Sequence, residues 1–143
     1  DVYKRQGMED HRADLIVIVA GYTELMGTFI HANPGLESRF NKYFYFEDYN
    51  GGQLMAIFQS MCAKNGYTLS DEAEEYAGTY FRELYEERDE NFGNARDVRN
   101  VFERAVSRQS DRVAALEAPG KEDLMSLTLA DLREDDGAQT EGT

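Results

Sequence analysis

The chain has 143 residues, enough for one ordinary domain or for part of one joined to a small second. Hydrophobic residues make up 41% and charged residues 30%, the balance of a chain that buries a core and not of a disordered tail. Acidic residues outnumber basic ones 28 to 15, and the formal net charge of -13 opposes a nonspecific hold on nucleic-acid phosphates, so no nucleic-acid partner is expected.

The run Leu15-Ile16-Val17-Ile18-Val19-Ala20, rich in β-branched residues and ending at Gly21, reads as a strand buried on both faces of a parallel sheet. It is far too short to cross a bilayer, and Asp1 to Gln6 lacks the apolar core of a signal peptide. No membrane partner is expected, and the location is read as cytoplasmic. A buried central strand needs neighbours on both edges, but the chain offers only Tyr43 to Phe46 as a second candidate. The sheet is therefore expected to be incomplete, with sequence upstream missing.

From Thr23 to Ala32, Leu25, Met26, Phe29 and Ile30 recur at helical spacing until Asn33-Pro34-Gly35 stops the pattern. Leu36, Arg39 and Phe40 follow, then the aromatic strand Tyr43-Phe44-Tyr45-Phe46. The pair Gly51-Gly52 marks an expected boundary between subdomains.

Beyond it three amphipathic helices are predicted. Leu54, Ile57, Phe58 and Met61 form the apolar stripe of the first, which ends at Asn65-Gly66. Ser70 caps the second, whose Ala73, Tyr76, Ala77, Tyr80, Phe81, Leu84 and Tyr85 keep the helical period without a gap. The third begins at Asn94 after Gly93 and runs through Val98, Val101, Phe102 and Ala105 toward Leu116, until Pro119-Gly120 breaks it. Leu124 to Leu132 reads as a short strand or turn leading into a helical turn at Ala130-Asp131-Leu132. The acidic tail from 133 to 143 is expected to be disordered.

The single cysteine, Cys62, excludes an internal disulfide and a metal-binding cysteine pair. It reads as a small buried hydrophobe, since no histidine is placed to activate it. His11 and His31 lie near Asp10 and Glu24 without metal-ligand spacing, so no metal site is expected in this chain.

Leu15 to Tyr22, followed by Asn33-Pro34-Gly35-Leu36-Glu37-Ser38-Arg39-Phe40 and later by Phe92-Gly93-Asn94-Ala95-Arg96-Asp97-Val98-Arg99-Asn100, resembles the second half of an AAA+ ATPase of the CbxX/CfqX branch. The likeness runs from about Gly7 to Leu132 and rests on the order and separation of these segments. It implies an α/β fragment plus an all-α lid. Residues 7–49 would be the end of a parallel-sheet AAA+ core and 50–132 a three-helix AAA lid. Asp1 to Gln6 does not resemble the helix that precedes this region in the family, and reads as a non-native remnant.

ATP hydrolysis requires a glycine-rich loop with a lysine and a hydroxyl, and an acidic pair beyond an apolar strand. None lies within these residues. The nearest imitation, Ala118-Pro119-Gly120-Lys121-Glu122, lacks the first glycine and the hydroxyl. The strand ending at Gly21 is followed by Tyr22-Thr23 and not by Asp-Glu, so the resemblance makes it the sensor-1 strand, with Tyr22 as the candidate side chain. The alternative is that Tyr22 packs on the next helix.

The resemblance also makes Arg39, just before a strand, an arginine finger reaching the ATP of a neighbouring subunit. The alternative is a surface ion pair with Glu37. Arg96 and Arg99 lie on one face of a helix start, where a cation opposes the helix dipole and a bound phosphate would reverse the cost. The family places sensor-2 arginines here, Arg96 matching best, while Arg99 can instead pair with Glu103. The implied parent is a ring-forming, hexameric, Mg2+- and ATP-dependent ATPase that remodels a protein client, and this chain alone is expected to be inactive. A stand-alone acidic helical interaction module is the rival reading.

Overall fold

The computed structural model describes residues 15–133. Residues 1–6, expected to be a non-native remnant, and the tail beyond Arg133 lie outside the described residues. The chain divides between Phe46 and Glu47 into two units.

The first unit has two helices in its described part, α1 (Thr23–Ala32) and α2 (Leu36–Arg39). Asn33 ends α1, donating from Nδ2 to the Phe29 carbonyl at 2.6 Å. Gly35 takes φ 87°, the left-handed conformation that turns the chain into α2 and that glycine adopts without a Cβ penalty. Ile30 and Leu36 are the buried side chains here.

The two expected strands do not form. Leu15 to Ala20 and Tyr43 to Phe46 carry no ladder among the described residues. Exposure still alternates along the first run, Ile16 at 87% and Ile18 at 86% against 38–48% for Leu15, Val17 and Val19. That period of two marks extended backbone. A strand, unlike a helix, satisfies its N–H and C=O groups only through another strand, and among the described residues none pairs with either run.

The second unit holds the core. Its first helix, α3 (Gly51–Lys64), starts at a capping box: the Gln53 N–H donates to Asn50 Oδ1 and the Asn50 N–H to Gln53 Oε1, both at 2.9 Å. The glycine pair lies in the first turn of this helix, four residues after the division between the two units. Gly51 is buried there because a Cβ would lie 2.7 Å from the Arg82 Cα, so the missing side chain permits close backbone packing. Leu54, Phe58 and Cys62, four residues apart, face inward. Burial pushes the Cys62 thiol up to about 11.

Asn65 and Gly66, the latter at φ 79°, turn the chain into β1 (Thr68–Leu69). Helix α4 (Asp71–Glu86) follows, capped by Ser70 Oγ, which accepts from the Ala73 N–H at 3.2 Å. It buries Ala73, Ala77 and Phe81. Helix α5 (Ala95–Ala114) buries Val98, Ala105, Gln109 and Val113. The three helices meet around aromatic rings, with Phe58 and Phe81 centroids 5.4 Å apart and Phe58 and Phe102 6.5 Å apart edge to face.

The bundle carries more than three helices. Helix α5 stops at Ala114, five residues before Pro119, once its apolar stripe has no further core to cover; Leu116 is exposed. Then come α6 (Lys121–Met125), β2 (Ser126–Leu127) and α7 (Leu129–Leu132). Strand β2 pairs in parallel with β1, Thr68 opposite Ser126 and Leu69 opposite Leu127, the connection running through α4 and α5. Buried Gln109 donates to the Asp123 and Leu124 carbonyls at 3.0 Å each, satisfying orphan acceptors at the end of α6.

Asp131 anchors the C-terminal end of the unit. It is 1% exposed and receives Arg112 Nε on Oδ1 and Arg112 Nη2 on Oδ2, both at 2.9 Å, and the Thr128 N–H on Oδ2 at 2.8 Å. Burial alone would raise the pKa of this carboxyl, but Arg112 and Thr128 outweigh it and hold Asp131 below its ordinary value. The same pairing raises Arg112.

Candidate functional site

The site is built at the start of α5. Tyr85 ends the apolar stripe of α4, and the turn beyond it is shaped by Asp89, whose Oδ1 accepts from the Asn91 N–H at 2.8 Å. Phe92 packs onto the core and fixes the loop from below. Gly93 then admits the carboxylate of Asp97, which accepts from the Gly93 N–H at 2.8 Å; a Cβ on residue 93 would meet Asp97 Oδ1 at 2.5 Å.

Asn94 carries the unusual backbone. At φ 52°, ψ -126° it is the one non-glycine residue with positive φ among those described, a conformation that costs on the order of 1–3 kcal/mol. Its side chain is held at both ends. Oδ1 accepts from the Tyr49 N–H at 2.8 Å, and Nδ2 donates to Asp48 Oδ1 at 2.7 Å. Asp48 Oδ2 in turn accepts from Arg88 Nε at 3.3 Å. The Arg88 guanidinium lies 3.9 Å above the Tyr85 ring and donates from Nη1 to the Tyr85 carbonyl at 2.8 Å.

Arg96 and Arg99 project from this fixed start. Both are exposed, and neither forms a hydrogen bond, ion pair or ring contact with another described residue, so the Arg99–Glu103 pair is not made. Arg96 is the second residue of α5, where the unpaired N–H groups and the positive end of the dipole oppose a cation by roughly 0.3–1 kcal/mol. Asp97, next in the same turn, relieves part of that field. Two permanently charged guanidiniums at a helix N-terminus suit a phosphate; they supply neither a base nor a metal ligand. Among the described residues no group of three or more His, Cys, Asp or Glu side chains converges to hold a metal.

Tyr22 and Arg39 belong to the first unit. Tyr22 is the residue before α1 and its carbonyl accepts from the Met26 N–H at 2.8 Å, but its ring makes no capping bond and is 80% exposed, so it does not pack on α1. Arg39 closes α2, half-buried, with Nη1 donating to the Gly35 carbonyl at 2.8 Å. Glu37 faces His31, Oε2 to Nδ1 at 3.8 Å, and both side chains are exposed. Sequence reasoning missed Asp48 and Arg88, and took Asn94 as a helix start and part of the family motif without its long-range bonds. Asn94 lies 46 positions from Asp48, and no local pattern joins residues that far apart.

The AAA lid domain family matches residues 50–142. The CfxQ protein of Xanthobacter flavus is 40% identical over 125 residues, covering 86% of this chain and 38% of that protein. A chloroplastic ribulose bisphosphate carboxylase/oxygenase activase from Cyanidioschyzon merolae is 37% identical over 131 residues, 89% of this chain and 43% of that protein. Stage V sporulation protein K of Bacillus subtilis is 38% identical over 126 residues, 87% of this chain and 39% of that protein. The chain thus spans well under half the length of these relatives. The α-helical unit with its glycine-admitted α5 start is an AAA lid, and the chain belongs to the CbxX/CfqX branch of the AAA+ proteins.

Proposed function

We propose that this chain is the sensor-1, arginine-finger and lid region of an ATPase that couples ATP binding and hydrolysis to remodelling of a protein client in a ring, probed most directly through Arg96. The observation that carries this reading is the pair of guanidiniums in the first turns of α5 that have no partner among the described residues. Their charge is locally unfavourable, and an anion would relieve it.

In this reading Arg96 holds ATP phosphate, with Arg99 on the same face of the helix. Arg39 neutralises charge on the phosphoryl oxygens of a neighbouring subunit, a task suited to a planar and permanent cation in a dry interface. Tyr22 stands at the sensor-1 position. The phosphate-binding loop and the carboxylates for Mg2+ would lie outside these 143 residues, so ATP supplies its chemistry only when they are present, and the chain alone should bind Mg-ATP weakly and show no turnover above background.

The test uses Arg96→Ala in two settings. In the nucleotide-free chain, removing the cation leaves α5 unchanged or stabilises it by a few tenths of a kcal/mol. In the full-length protein, turnover falls because a charge-assisted phosphate contact is lost. A destabilised apo chain with unchanged turnover sinks the assignment. For Arg39, subunits carrying Arg39→Ala are mixed with hydrolysis-dead, finger-intact subunits. Mixed rings with no activity at any ratio would refute a finger acting in trans.

A further inference from the structure

We propose that Asn94 is a positioning residue, tying the first residues of the lid to the start of α5 and so fixing where Arg96 stands relative to the chain's entry into the lid. The inference rests on the reading of Arg96 as a phosphate contact, and it concerns what holds that contact in place. Three observations carry it.

First, the backbone at Asn94 is in a region that glycine fills freely and that asparagine does not, yet the residue is not glycine. Second, the side chain offers no cap to its own helix; both of its polar ends are spent on Asp48 and Tyr49, more than forty positions away. A residue needed only to start the helix would bond locally, as Asn50 and Ser70 do. Third, Asp48 is itself fixed by Arg88, which is stacked on Tyr85 at the end of α4. The entry segment, the end of α4 and the start of α5 therefore meet at one side chain, two residues before Arg96.

The consequence is mechanical. Asp48 and Tyr49 directly follow Phe46-Glu47, where the two units divide. A displacement of the entry segment is passed by two hydrogen bonds of 2.7 and 2.8 Å to the residue that sets the direction of α5. Conversely, an anion drawing on Arg96 loads the same node. Coupling of this kind needs a short link, and here a single side chain spans it.

The test compares Asn94→Gly, Asn94→Asp and the reciprocal pair Asn94→Asp with Asp48→Asn. Glycine suits the positive φ, so Asn94→Gly removes the link without disfavouring the fold. Asn94→Asp sets two carboxylates against each other, and Asp48→Asn restores a donor opposite an acceptor while still accepting from Arg88. In the 143-residue chain, the Tyr49 amide of Asn94→Gly should exchange about tenfold faster or more, with the α3–α5 core amides unchanged. In the full-length protein, kcat should fall toward the ~10²-fold expected of an ångström-scale misplacement, with KM for Mg-ATP moving far less. Asn94→Asp should behave likewise, and the reciprocal pair should recover most of the loss.

Adding Asn94→Gly to Arg96→Ala should cost nothing further, because both act through one guanidinium. Additive losses, or wild-type kcat in Asn94→Gly despite a deprotected Tyr49, overturn the positioning role and leave the Arg96 reading intact. A silent Arg96→Ala overturns both.

Discussion

The run Leu15 to Ala20 is the longest strongly apolar stretch of the chain and yet leaves Ile16 and Ile18 almost wholly in solvent. Helix α4 carries six acidic residues and buries Phe81 completely. Apolar composition therefore does not decide burial here; the reach of the backbone's hydrogen bonds does. A helix closes its own ladder within four residues and needs only one neighbour for its stripe. A strand must first find another strand, and the first unit brings none among its described residues. The second unit has its two short strands because α4 and α5 carry the chain from Leu69 back alongside it at Leu127.

The largest effect that would break this contrast is in hydrogen exchange. Core amides of α3, α4 and α5 should open only with global unfolding, at the ~5–15 kcal/mol of an ordinary domain, while those of residues 15–20 and 43–46 exchange close to open-chain rates. Protection of the two segments equal to that of the helices would show that they are paired in solution. Side-chain truncation sharpens the same point. Phe81→Ala removes a ring that touches Phe58 and Tyr80 and should cost about 3–5 kcal/mol by denaturant titration, whereas Ile16→Ala, at 87% exposed, should change stability by less than ~0.5 kcal/mol.

The Arg112–Asp131 pair is the next step down. Arg112→Ala leaves a buried carboxylate with only the donors of Thr128, at a cost of about 3 kcal/mol, the lower end of the range because the arginine keeps 28% of its side chain in solvent. Its pH dependence has a fixed sign. The folded pKa of Asp131 lies below its unfolded value, so its contribution is fully present above the ordinary carboxylate pKa of about 4 and is lost as pH falls through the folded value. The stability gap between wild type and Asp131→Asn should therefore narrow on acidification below about pH 4. A gap that stays constant or widens there would remove the ion pair from the account.

Much of the lid was legible because its signals are local. The stripe Ala73, Ala77, Phe81, the cap at Ser70 and the stop at Asn65-Gly66 each lie within one or two helical turns. Burial of Cys62 follows from its place on the α3 stripe. What was not legible is long-range. Parallel pairing of Thr68 with Ser126, the Arg112–Asp131 clamp and the Asp48–Asn94 link join residues that no period connects. Gly51-Gly52 carried a second role that no local pattern shows, since glycine marks a joint and a close helix contact alike, and only the nearness of Arg82 reveals the contact. At the candidate site, Arg96 and Arg99 were visible as cations at a helix start, but their lack of a partner among the described residues was not.

The smallest predicted effect sets the two units against each other at their helix caps. Asn50 accepts from the Gln53 N–H and receives support from the Gln53 side chain, so Asn50→Ala should cost about 1 kcal/mol, read as a drop in the denaturation midpoint at unchanged m. Tyr22 stands in the same position before α1, with φ -70° and ψ 139°, the extended backbone that a capping residue adopts, but its side chain accepts nothing from the helix. Tyr22→Ser supplies the missing acceptor at a site already shaped for it. The substitution should therefore raise the helical population of residues 23–32, read from backbone chemical shifts, by an amount corresponding to several tenths of a kcal/mol. The two substitutions thus move their helices in opposite directions. If Tyr22→Ser lowers the helicity of α1, the exposed ring contributes more to that helix than its contacts suggest, and the first unit is organised by a packing that its backbone does not reveal.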